Sequence, residues 1–188
     1  MKWLNFLVVI AIVLASISAG AKQIAATKMP INQLLESWIS NTERHVVPAA
    51  NAMAEEKYSF VPTTGDFTGV RTFAQQIKHL AANNYRMAAY ILDQQATPDQ
   101  ESEVGPDSVQ SKLQIIDYLE GSFAALQKAA STVTESNLGE PIPALKDQRA
   151  LIRTRIQLVM DAIAHSFNHY GQMVEYLRMN GIIPPDSR

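Results

Sequence analysis

Residues 148–181, QRALIRTRIQLVMDAIAHSFNHYGQMVEYLRMNG, decide how this chain folds. Apolar side chains recur through them at three- and four-residue steps, which is helical spacing. The polar stripe formed by Gln157, Asp161, Asn168 and Glu175 spans only about 40° of arc at 100° per residue. A helix so apolar around the rest of its circumference is expected to be the most buried element of the fold. It is expected to run from Gln148 to Asn180, because Gly181 can take the left-handed conformation beyond its end and Pro184 bars continuation.

Working back towards the N-terminus, the same periodicity predicts three more helices. One runs from about Asp107 to Thr134, opened by a capping box of Asp107 with Gln110. Another covers Thr72–Leu92 behind the capping box Thr72–Gln75, with Phe73, Ile77, Leu80, Asn84, Met87, Ala88 and Ile91 recurring at three- and four-residue steps. The first spans Ile31–Glu56 with Ile31, Leu34, Leu35, Trp38, Thr42, His45, Val46 and Ala49 on a shared face, and Pro48 is expected to kink or interrupt it. Two connectors are read as short, and DQQATPDQESEVGPD (93–107) as long enough to cross the bundle. No stretch alternates strictly enough to demand a strand. The fold class is therefore all-α, a four-helix bundle with one long crossover connection.

MKWLNFLVVIAIVLASISAGA (1–21) has the positive start, apolar run and small-residue tail of a cleavable export signal. An uncleaved anchor is the competing reading, but the apolar run falls short of the roughly 20 residues that span a bilayer. The division expected is thus a signal at 1–21 and one bundle domain at 22–188. The mature protein is expected to be periplasmic or secreted, with no stable membrane span.

Sixteen Lys and Arg stand against 18 Asp and Glu, and only Lys2 lies within 1–21. The resulting excess of acid argues against a nucleic-acid surface, which needs a concentrated basic stripe. The chain has no cysteine, so any metal site must use nitrogen and oxygen ligands.

His165 and His169 in HSFNH stand one helical turn apart, so their rings project from one ridge and can converge on an ion. His79 occupies a similar margin on the second helix, beside Asn83, Arg86 and Tyr90, and could meet them if the two flanks face each other. Each also has an ordinary reading as a solvated residue. His45 falls beside Trp38 and reads as a core histidine, and it is also the residue to inspect as a fourth ligand. Ser166 stands where a zinc protease of the HExxH type carries its glutamate base, which argues against that chemistry.

EEKYSFVPT (55–63), VRTFAQQIKHLAANNY (70–85) and HSFNHYGQMVEYLRMNGIIPP (165–185) together resemble the DinB-like (DinB/YfiT) superfamily over about residues 31–185. The resemblance implies a bundle, often a homodimer, holding a divalent metal through one histidine of the second helix and two of the last. Carried residue by residue, those are His79, His165 and His169. Asn168 departs from the acidic residue commonly found there, which puts a proton-transfer role at that position in doubt. Imidazole suits zinc, nickel, copper and iron, with zinc or nickel the favoured expectation.

Three neutral imidazoles leave a divalent ion its full charge and an open position, suited to hydrolysis or to holding a thiolate. The resemblance likewise implies thiol transferases among its members. The functional expectation is a metal-dependent hydrolase or thiol S-transferase with a small-molecule substrate. Arg86 is the best residue to meet an anionic group; Asn83, Gln172 and Tyr176 are read as pocket or packing residues. A non-catalytic metal-holding or dimeric binding protein remains the alternative.

Overall fold

A computed structural model describes residues 28–143 and 153–187; the expected leader lies outside the described residues. Among those described, the elements are α1 (Ile31–Ala52), a 3-10 turn (Glu55–Lys57), α2 (Phe73–Ile91), α3 (Pro98–Glu101), α4 (Lys112–Ala130), α5 (Arg155–Met179) and a closing 3-10 turn (Pro185–Ser187). No described helix is long and apolar enough to cross a membrane. The four long helices form the expected all-α bundle.

Both α1 and α2 pack chiefly on α4 and α5, so they stand at opposite corners. Side-chain register gives the direction of each helix. Ile31 lines one groove with Ile156, and farther along His45 meets Tyr170, so α1 and α5 run parallel. Gln76 reaches Gln172 whereas Ser166 reaches Asn84, so α2 runs against α5. Gln127 reaches Ser40 whereas Lys112 reaches Asn51, so α4 runs against α1. It follows that α2 and α4 are parallel neighbours, and residues 92–111 must travel the length of the bundle to join them. This is the expected crossover. The other links, 53–72 and 131–154, are at least as long, contrary to the expectation of short connectors, because each joins helices across the diagonal.

Local chemistry fixes most helix ends. At α2, Gln75 N donates to Thr72 Oγ1 (3.1 Å) and Thr72 N donates to Gln75 Oε1 (2.9 Å), the expected capping box. The amides of Phe73 and Ala74 donate to the carbonyls of Phe60 and Tyr58, so the preceding link satisfies first-turn donors that would otherwise be orphaned. Tyr58 itself packs edge-on against Phe73 and donates its hydroxyl to the Ala50 carbonyl.

Some boundaries differ from expectation. Helix α1 runs unbroken through Pro48 but ends at Ala52, before Glu56. The cap of α4 is Ser111 with Gln114, not Asp107 with Gln110, and that helix stops at Ala130. The segment around Gln148 lies outside the described residues, and α5 begins at Arg155 behind a Thr154–Gln157 capping box. At its far end Gly181 takes φ +72° and the Ile182 amide donates to the Leu177 carbonyl, as the expected stop requires.

The most buried helix is α2, with 13 of 19 residues buried, not α5, with 8 of 25. Besides packing on two long helices, α2 is covered by the crossover with its α3 turn. On α1 the buried stripe is Leu35, Ile39, Thr42, Val46 and Ala49, rotated from the predicted face. Leu34 and Trp38 are exposed, and line an apolar groove of about 420 Å³ with Ile156 and Met160.

Inside the bundle a polar chain ties three helices together. Ser166 donates to Asn84 Oδ1, Asn84 Nδ2 donates to Ser122 Oγ, and Ser122 donates to the Leu119 carbonyl. All three side chains are buried, so these bonds replace water that burial removes.

Candidate metal centre

The antiparallel pairing of α2 and α5 brings His79 opposite the ridge that carries His165 and His169. The i, i+4 spacing stacks the latter two on one face. His165 Nε2 lies 3.2 Å from His79 Nε2 and 3.1 Å from His169 Nε2. Ligand atoms of all three residues fall within 4.8 Å of one another.

These separations can be tested against an ion. Tetrahedral coordination with metal–nitrogen bonds of about 2.0–2.1 Å places ligand nitrogens roughly 3.3 Å apart. The observed Nε2 spacings are close to that, and the donors are nitrogens from neutral rings. The residues fit a divalent ion. They lie deeper than the margin that helical projection predicts, with His79 and His169 buried and His165 half-buried.

Electrostatics keeps the rings neutral. Burial is the main force lowering the pKa of His79, with Arg71 adding to it and Glu103 opposing. His165 is pushed down to about 4 by burial, then by His79, Arg86 and Arg71. His169 is pushed down to about 3 by burial, then by His165 and His79. An unprotonated imidazole is the form that can ligate a metal.

Behind the rings the three residues differ. His169 Nδ1 is 2.6 Å from Gln76 Oε1, and Gln76 Nε2 donates to Gln172 Oε1 at 2.8 Å. His165 Nδ1 has no hydrogen-bond partner, whereas the His79 ring faces the Glu103 backbone carbonyl, which favours its protonated form. Glu103 Oε2 stands 3.6 Å from His79 Nδ1, on the side away from the cluster, and pairs with Arg71 Nη2 at 2.5 Å. Arg86 donates to Asn83 Oδ1 and pairs with Glu101. Tyr176 donates to the Arg71 carbonyl, a structural role for a residue expected in packing.

The crossover delivers both glutamates through a close approach at Gly105. That residue has φ +74°, and a Cβ there would stand 2.6 Å from Lys78 Cβ, the neighbour of His79. Only glycine allows the loop to lie so near α2.

His45 does not join the cluster. Its Nδ1 lies 2.5 Å from Asp186 Oδ2, which also accepts from the Tyr170 hydroxyl, and its ring packs on Phe167 and Tyr170. Nor is it a buried core residue, since a third of its side chain is exposed. Its role is to fasten the C-terminal turn to α1. The apolar groove between α1 and α5 likewise contains none of the three clustered histidines.

Sequence reasoning missed Gln76, Arg71, Glu101 and Glu103. Gln76 was findable, because it precedes His79 by three residues and shares its helical face. The glutamates lie on a loop, where periodicity gives no direction.

A long helical bundle with three converging histidines defines the class. The sequence profile of the DinB superfamily matches residues 39–173, and the chain belongs to that superfamily. A comparison with curated proteins finds no match.

Proposed function

We propose that this protein binds one divalent metal ion through His79, His165 and His169, and that the centre serves a metal-dependent hydrolase or thiol S-transferase. One observation carries the reading: His165 Nε2 stands at ligand-to-ligand spacing from the Nε2 atoms of both His79 and His169, ligand atoms of all three lie within 4.8 Å of one another, and among the described residues no fourth His, Asp or Glu joins the group. Catalytic centres keep a position open, whereas structural zinc sites are closed by a fourth protein ligand.

A divalent ion held by three neutral imidazoles would supply Lewis acidity or a seat for a thiolate at the open position. The protein's own groups do the rest. Burial keeps the imidazoles unprotonated, and Gln76 orders one ring from behind. Arg71 and Arg86 supply positive charge near the cluster and suit a small substrate bearing an anionic group. Zinc or nickel fits the ligand set. We further take residues 1–21 as an export signal, the mature chain as periplasmic or secreted, and a homodimer as its working form. The alternative is a metal-holding binding protein without turnover.

The test is elemental analysis of protein purified without chelator or added metal, beside His79→Ala and His165→Ala variants checked for helical content. About one equivalent per chain, lost in both folded variants, is expected. No bound metal and no uptake of zinc, nickel or manganese overturns the reading.

A further inference from the structure

Gln76 is only 3% exposed, and a buried carboxamide must place both its donor and its acceptor. Its Nε2 donates to Gln172 Oε1, so its Oε1 faces His169 Nδ1 at 2.6 Å. An amide oxygen only accepts, and the ring nitrogen opposite it must therefore carry the proton. In neutral imidazole the other nitrogen then has the free lone pair. That nitrogen is Nε2, which points at His165.

We infer that Gln76 is a positioning residue for the metal centre: it fixes the His169 proton on Nδ1 and holds the Nε2 lone pair ready for the ion. The inference rests on the proposed metal site. Of the three rings, only that of His169 has a side-chain acceptor within hydrogen-bond reach of Nδ1; His165 Nδ1 has no partner, and His79 faces Glu103 on the crossover. His169 is a ligand ordered before the ion arrives; His165, with nothing behind it, selects its tautomer when the ion binds. The opposite orientation of both amides would place the proton on Nε2, aimed into the cluster, and would block ligation by His169.

Gln76 also sets how strongly His169 donates. Partners behind a ligating histidine raise its basicity, a carboxylate more than a neutral amide, and their loss typically costs 10–100-fold in affinity. With an uncharged acceptor the cluster stays neutral and leaves the ion its full charge.

Two measurements on the full-length protein test this. Zinc affinity, by competition with a chromophoric chelator, is expected to fall at least tenfold in Gln76→Met and to hold at the wild-type level or tighten in Gln76→Glu, which keeps the acceptor. Helical content should be unchanged in both. Nitrogen-15 NMR of chelator-treated wild type, read at neutral pH, is expected to show His169 protonated at Nδ1 and bare at Nε2. Wild-type affinity in Gln76→Met overturns the inference, and so does a proton on Nε2. If the wild type itself takes no zinc, the metal reading falls, while the tautomer measurement still decides whether Gln76 orients His169.

Discussion

His79 and His165, 86 positions apart in sequence, face each other through Nε2 atoms 3.2 Å apart, one on α2 and the other on α5. An ion between them would bridge two helices, so it should stabilise the fold as well as occupy a site. At a free zinc concentration of one hundred times Kd the expected gain is about 2.7 kcal/mol. For a chain of this size that corresponds to a rise in Tm of about 5–10 °C. Calorimetry with and without zinc should show the rise in the wild type and none in His165→Ala; equal rises in both would place the stabilising zinc elsewhere.

Acid should weaken the metal-free fold before it touches most carboxylates. The folded-state pKa values of His165 and His169, about 4 and about 3, lie below the ordinary value of 6.5, so the unfolded chain takes up protons first as pH falls. Their contribution is neutral above about pH 7, and stability then declines from about pH 6.5 down to about pH 4 and below. Urea midpoints measured in chelator at pH 7.5, 6 and 5 should fall in that order. Replacing His169 by Gln should flatten the slope, and an unchanged slope would assign the acid sensitivity to other groups.

Asn84 joins α4 to α5 through Ser122 and Ser166 in a region sealed from water. Asn84→Leu should destabilise the protein by about 1–3 kcal/mol, since both hydroxyls lose their interhelical partner where water cannot replace it. Urea unfolding reads this directly. A cost within 0.5 kcal/mol, the usual range for ordinary surface substitutions, would show that the chain is dispensable.

Gly105→Ala should cost about 1–2 kcal/mol from the positive φ alone. The new methyl also meets Lys78 Cβ, so the crossover must shift. That movement carries Glu103 away from Arg71 and His79. Accelerated amide exchange in residues 97–105, with α1 and α4 unaffected, is the expected signature.

What the sequence discloses depends on how local the physics is. The Thr72–Gln75 box and the Gly181 stop involve neighbours only, and both are present. Asp107–Gln110 and Ser111–Gln114 have the same spacing, so pattern alone cannot choose between them. The choice falls where Lys112 donates to the carbonyls of Asn51 and Met53, a contact reaching about 60 positions back. Periodicity shows which residues favour burial, not which find a partner, and for that reason it predicts Trp38 inside whereas the fold leaves it exposed. The three histidines were legible because spacing puts two on one ridge and family resemblance supplies the third. For Gln76 the spacing gives only its place on the His79 face, since a neutral amide announces no chemistry until its partners are known.

The antiparallel contact of α2 with α5 also sets an order in time. A ribosome adding about 5–20 residues per second delivers His165 several seconds after His79. Until then the first histidine has neither of its companions, and a chain cut short before the last helix can form no such cluster. Uptake of an ion by all three histidines would thus require that synthesis has run through α5.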